Sequence, residues 1–214
     1  MVTTKRAPRG SLTKDRIVTA AIDLLDREGL DALTVRRLAT ELQVRPMALY
    51  NHVNGKADIL AAVAEEMTSR LDLPDAATAG ADGLRAVFRS YFRLLVEHPV
   101  LLQLNDTLEQ ANPAELRVSE RAYAIMRQAG LEPRDAVGLL AGMVRFTIGC
   151  ALLYPHRHAW DDDPGHWDRT REAIMALPAG EYPELRAMGA DLPIFTQEDA
   201  FEFGLDVFLA RLGP

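Results

Sequence analysis

Cysteine is nearly missing from this chain: Cys150 is the single one in 214 residues. An internal disulfide is thereby excluded, and its neighbours Ile148, Gly149, Ala151 and Leu152 read as the surroundings of a small buried hydrophobe, not a reactive thiol. Runs of strict apolar/polar alternation with β-branched enrichment are also missing, which argues against a sheet, and no internal repeat is present. The N-terminus lacks the apolar stretch of a secretion signal, and the longest apolar stretches are interrupted by Arg145 or are too short to cross a bilayer. The expectation is a cytoplasmic protein without a membrane partner. No Ser-His-Asp set, phosphate loop or paired acids on one face is visible, so neither an enzyme nor a cofactor is expected.

What is present fits a packed globular protein, with 48% apolar and 26% charged residues. Taken whole, a formal net charge of -7 argues against a nucleic-acid partner. Divided, the chain says otherwise. Residues 1 to 60 hold ten Lys and Arg against seven Asp and Glu, leaving fourteen against twenty-four for the rest. DNA binding needs only a local basic surface. Lys5, Arg6 and Arg9 sit with Pro8 and Gly10 in a stretch, residues 1–12, that reads either as a flexible basic arm able to follow phosphates or as a terminus with incidental charge.

Apolar spacing predicts a first helix from Thr13 to Glu28 carrying Ile17, Ala20, Ala21, Leu24 and Leu25 on one face, with Thr13 as its cap and Gly29 as its stop. Thr34 caps a short helix, Val35 to Glu41, and Pro46 opens another that carries Ala48 to Val53. A longer helix runs from Lys56 to about Leu71, and the pattern breaks at Asp72-Leu73-Pro74-Asp75. Beyond residue 74, helical periods recur near 84–97, 100–110, 114–129, 134–154, 165–177 and 198–212, punctuated by prolines that include Pro155. The fold class is all-α, with a DNA-binding domain over 13–73 and a larger helical domain over 74–214.

Two short helices joined by a tight turn and braced by a longer one form a helix-turn-helix. Leu38, Ala39, Val44, Leu49 and Val53 pack inward, leaving Arg45, Met47, Ala48, Asn51 and His52 free for a major groove about 12 Å wide. Three segments then resemble the tetracycline repressor (TetR) family: Ile17-Val18 with Ala20-Ala21-Ile22 and Leu24-Leu25; Gly29-Leu30-Asp31-Ala32-Leu33-Thr34-Val35-Arg36-Arg37-Leu38-Ala39; and Leu49-Tyr50-Asn51-His52-Val53-Asn54-Gly55-Lys56. The resemblance is close over residues 12 to about 71. It implies a homeodomain-like three-helix head whose recognition helix falls on Arg45 to His52. Tyr50, His52, Lys56 and Thr34 resemble phosphate-contacting positions, and Arg36 one that reaches a base edge or a phosphate. Arg45, Pro46, Met47, Ala48 and Asn51 would set sequence preference. Gln43 departs from the family pattern, which commonly has glycine at the left-handed turn. Arg37, beside Arg36, reads as the partner of an acidic neighbour on the solvated face.

The same resemblance, weaker after residue 74, implies a ligand-binding and dimerising domain, a palindromic operator, and release of a repressor by a small-molecule effector. Helices near 134–154 and 198–212 would form the homodimer contact, with Leu139, Leu140, Met143, Val144, Ile148, Leu152, Phe201, Leu205 and Phe208 on it. Pocket candidates are Phe88, Tyr91, Phe92, Leu95, Leu104, Met126, Met143, Phe146 and Cys150, with His98 and Asn105 as polar groups. Tetracycline itself is not implied, because the family's ligand-clasping histidine at the end of the fourth helix falls near Leu71-Asp72. His156, His158, Asp161, Asp162, Asp163 and His166 form the densest set of potential metal ligands, but their spacing fits a solvated loop after Pro155 and no metal is expected. An architectural DNA-binding protein without an effector is the alternative.

Overall fold

The computed structural model describes residues 12–104, 113–161, 163, 165–189 and 197–213, and among these there is no strand. Eleven helices follow in order: α1 (Lys14–Glu28), α2 (Val35–Glu41), α3 (Pro46–Leu49), α4 (Lys56–Ser69), α5 (Ala76–Glu97), α6 (Val100–Leu104), α7 (Pro113–Gln128), α8 (Pro133–Asp161), α9 (His166–Met175), α10 (Pro183–Met188) and α11 (Gln197–Leu209). Caps set the first boundaries. The Thr13 hydroxyl accepts from the Arg16 N–H at 3.2 Å, and Gly29 ends α1 at φ 79°. Thr34 does the same for α2, accepting from the Arg37 N–H at 3.0 Å.

Helix α1 packs on α2 and α4, and α2 on α3, around fully buried Ile17, Leu24, Leu38 and Leu49. Helices α5, α7 and α8 form the body of the second part, with α11 laid on α8 and α5. Between the parts lies α4, which touches α1 on one side and α6 and α7 on the other. One continuous apolar cluster therefore runs from Ile17 to Leu212.

Several expectations need correction. Helix α8 does not stop at Pro155 but continues to Asp161, although the proline has no N–H to donate. Packing of Ala151 in the core and of Tyr154 edge-on to Phe92, ring centres 5.7 Å apart, outweighs the local penalty. His156, His158 and Asp161 thus stand on helical backbone and not in a loop, while Asp162 lies outside the described residues. No group of three metal-ligating side chains occurs among the described residues.

Over Pro133–Pro155, α8 is long and apolar enough to cross a bilayer, with a mean hydropathy of 1.9. Arg145 does not interrupt it as the sequence suggested. Helix α5 begins earlier than expected but breaks at Gly80, where φ is 49° and ψ is -149°, so its uniform stretch follows that glycine. The short α10 was not anticipated. It is opened by Pro183 and fastened where Arg186 donates to the Leu177 carbonyl at 2.8 Å.

Candidate nucleic-acid interface and ligand cavity

The turn between α2 and α3 is made by Gln43, whose φ of 56° is the single left-handed value among described non-glycine residues. There the chain reverses while the Val44 N–H donates to the Ala39 carbonyl at 2.9 Å. Helix α3 is shorter than the expected Arg45–His52. After Leu49 the chain tightens, and the Leu49 carbonyl receives both the His52 and the Val53 N–H, at 2.8 and 3.0 Å. This brings β-branched Val53 into the core beside Leu49 and turns Tyr50, Asn51 and His52 outward.

The outward surface so formed carries Arg45, Pro46, Met47, Tyr50, Asn51 and His52, with Ala48 half-buried; Met47 is 72% exposed, far from the usual state of that residue type. The arginines nearby divide into two kinds. Arg37 is held by Glu28 at 2.5 Å and Glu41 at 2.8 Å, and Arg27 by Glu41 at 3.0 Å. The hydrogen bonds from Arg37 and then Arg27 pull the Glu41 carboxyl below its usual range, and those from Glu28 and Glu41 push Arg37 up. Arg36 and Arg45, both exposed, make no ion pair among the described residues, so their guanidinium groups face solvent beside the α3 surface.

Thr34 accepts through its hydroxyl at the α2 cap, which leaves its O–H proton to donate outward. The Lys56 ammonium reaches back to the Leu30 carbonyl at 3.0 Å, which uses one of its three donors and fixes its position at the start of α4. Gly55 precedes that helix without a side-chain cap, and Asp58 instead binds the Asn54 N–H at 2.9 Å. Lys5, Arg6 and Arg9 lie outside the described residues.

A cavity of about 330 Å³ opens between α4, α5, α6, α7 and α8. Its walls are Ala64, Thr68, Leu71, Val87, Phe88, Tyr91, Leu94, Leu95, Leu101, Leu104, Glu115, Val118, Ser119, Ala122, Leu140, Val144 and Ile148. Of the candidates read from the sequence, Phe88, Tyr91, Leu95 and Leu104 are among these walls.

Six other candidates do not line this cavity. Phe92 lies about 100° around α5 from Tyr91 and stacks on Phe201 at 4.3 Å, while Phe146 joins the same pile at 5.8 Å from Phe201. Met126 and Met143 are fully buried in the core, and Cys150 is half-buried, its thiol pushed up by desolvation. His98 ties the end of α5 to the end of α1, its Nδ1–H donating to the Asp26 carboxylate at 2.9 Å. Asn105 lies outside the described residues.

Sequence reasoning missed Thr68, Glu115 and Ser119. The wall of α7 is signalled by the one-turn spacing of Glu115, Ser119 and Ala122, but nothing in a single helix tells which neighbour faces it. Ala64 and Thr68 line the cavity from α4, the connecting helix, and Leu71 from just beyond its end.

A helix-turn-helix head joined through a shared helix to an all-helical cavity domain is the architecture of a one-component bacterial regulator. Residues 17–63 match the family described as "Bacterial regulatory proteins, tetR family", and residues 73–212 match "Tetracyclin repressor-like, C-terminal domain". The chain belongs to the TetR family and is a DNA-binding transcriptional regulator, not an enzyme.

Among its relatives is the HTH-type transcriptional repressor DrrR1 of Streptomyces coeruleorubidus, 32% identical over 97% of this chain and 79% of that protein. The tetracycline repressor protein class A from transposon 1721 of Escherichia coli is 29% identical over 94% of this chain and 90% of its own length. Of solved structures, ActR from Streptomyces coelicolor in complex with actinorhodin superposes with a TM-score of 0.80 at 28% identity, covering 95% of this chain and 96% of ActR.

Proposed function

We propose that the protein is a homodimer that holds a palindromic operator and lets it go when a small molecule fills the cavity. The observation that carries this reading is the double membership of α4, which packs on α1 in the head and contributes Ala64 and Thr68 to the cavity wall, with Leu71 added just past its end. A ligand that binds one position of α4 better than another shifts the head by that difference in affinity and no more. The ActR complex with actinorhodin supports a small-molecule occupant.

On the DNA side, Thr34, Tyr50, His52 and Lys56 hold phosphates, and Arg36, Arg45, Pro46, Met47, Ala48 and Asn51 meet the groove; residues 13–73 form this head and 74–214 the effector domain. Two copies are needed because one recognition turn reads only a few base pairs. Half of the interface is ready on α8 and α11, where Val137, Leu152, Phe203 and Val207 stand exposed. The apolar length of α8 is thus covered by a second copy and not by lipid, in keeping with a cytoplasmic protein. Of the dimer candidates read from the sequence, Leu152 stands exposed, while Leu140, Met143, Phe201 and Leu205 are buried within one chain and Val144 and Ile148 line the cavity.

A gel-shift titration with the DNA flanking the gene tests the reading. Binding that is palindrome-specific, weakens with salt and drops by about 10- to 100-fold in Arg45→Ala is expected, the loss of one good base contact. Sequence-indifferent binding that no cavity ligand releases would instead mark an architectural protein.

A further inference from the structure

We infer that Met47 reads the C5 methyl group of a thymine in each half-site; this deepens the DNA-binding reading above and rests on it. From α1 through α4, Met47 and Tyr50 are the only large apolar side chains that stand exposed among the described residues, at 72% and 50%. Tyr50 has a hydroxyl to place in water or on a phosphate. Met47 has only a thioether, a weak acceptor. Its direction follows from the helix. Two residues along α3 turn a side chain by about 200°, so Met47 stands opposite Leu49, which is fully buried. Pro46 beside it is exposed and Ala48 half-buried, which widens the apolar spot without covering it.

The surroundings of this spot say what covers it. Arg45 precedes it and Arg36 stands exposed on the neighbouring α2, and neither makes an ion pair among the described residues. An apolar protein surface seated here would leave both guanidinium groups unanswered, whereas DNA supplies phosphates and guanine edges for them. Within the major groove, the apolar group that the base edges offer is the thymine methyl. Over a cytosine amino group or the acceptors of guanine, a thioether would displace water and return no hydrogen bond, so those bases are disfavoured at this position. The unbranched methionine chain adapts to where the methyl lies once the arginines have docked.

Double-stranded DNA selected from a random library by the full chain is the probe, with affinity followed by fluorescence anisotropy at fixed salt. Each thymine is exchanged in turn for deoxyuridine, which removes the methyl group and leaves the hydrogen-bonding edges as they were. At one thymine of each half-site the exchange is expected to weaken binding by about fourfold, the value of one buried methyl group. 5-Bromodeoxyuridine, whose bromine is close to a methyl in size, should restore it. In Met47→Ala the uridine penalty should vanish while the salt dependence of binding stays the same, because no phosphate contact is lost. Met47→Leu, which keeps the apolar bulk, should retain the penalty. The inference is overturned by a site in which no thymine methyl matters, or by a penalty equally large in Met47→Ala. A selected site that is specific but not palindromic removes the two-fold operator alone, and the uridine exchange then decides for Met47 as before. A palindrome indifferent to uridine removes the methyl contact alone, and failure of any sequence to be enriched overturns both.

Discussion

Gln43 spends its life in a backbone region where a side chain costs about 1–2 kcal/mol, at the turn on which the head depends. Replacing it with glycine removes that strain but gives back about 0.5–1 kcal/mol of freedom to the unfolded chain. Gln43→Gly is therefore expected to raise stability by about 0.5–1 kcal/mol in urea titrations, with operator affinity unchanged. Gly204 is the opposite case. A Cβ placed there would stand 2.0 Å from Cζ of Phe146, a ring that cannot retreat because Phe201 and Phe208 flank it. Gly204→Ala should cost about 1–3 kcal/mol by the same measurement, the range for overpacking a tight core.

At the level of helices, α5 and α11 are pinned by charge. Arg89 Nε meets Glu202 at 2.6 Å, and Arg85 meets both Glu202, at 3.4 Å, and Asp206, at 2.6 Å. The Arg89 hydrogen bond is the main reason why the Glu202 carboxyl lies below its usual range. A lowered folded value means that the stabilisation is complete above the ordinary glutamate value of about 4.3 and is lost as pH falls through the lower one. Thermal melts from neutral pH downward should show this loss below about pH 4, and in Arg89→Gln that part of the decline should shrink.

Sequence reading did best where one residue decides a boundary, as Thr13, Gly29, Thr34 and Pro46 do. It failed at Pro155, where contacts from α5 overrule a local rule, and at Phe92, Phe146 and Met143, where the choice between cavity and core depends on helix rotation. Neither is written in a single segment.

For the molecule as a whole, the unanswered surface is the exposed row on α8 and α11. Phe203 and Val207 are each 59% exposed one turn apart, and Leu152 matches them at 59% on α8. In a two-fold assembly every such residue counts twice. Light scattering is expected to give twice the chain mass, and Phe203→Glu with Val207→Glu to give the single mass together with loss of palindrome-specific binding. A monomer in the unaltered protein would remove the dimer from the proposed mechanism.

The shared helix α4 also limits how the protein can be re-engineered. A cut near residue 74, where the chain pattern breaks, would leave Ala64, Thr68 and Leu71 with the head and strip the cavity of one wall. A hybrid sensor that grafts this effector domain onto a foreign head must therefore carry the cavity face of α4 across the joint. The seam between parts from two regulators runs lengthwise along that helix, between its α1 side and its cavity side, and not across the chain at a linker.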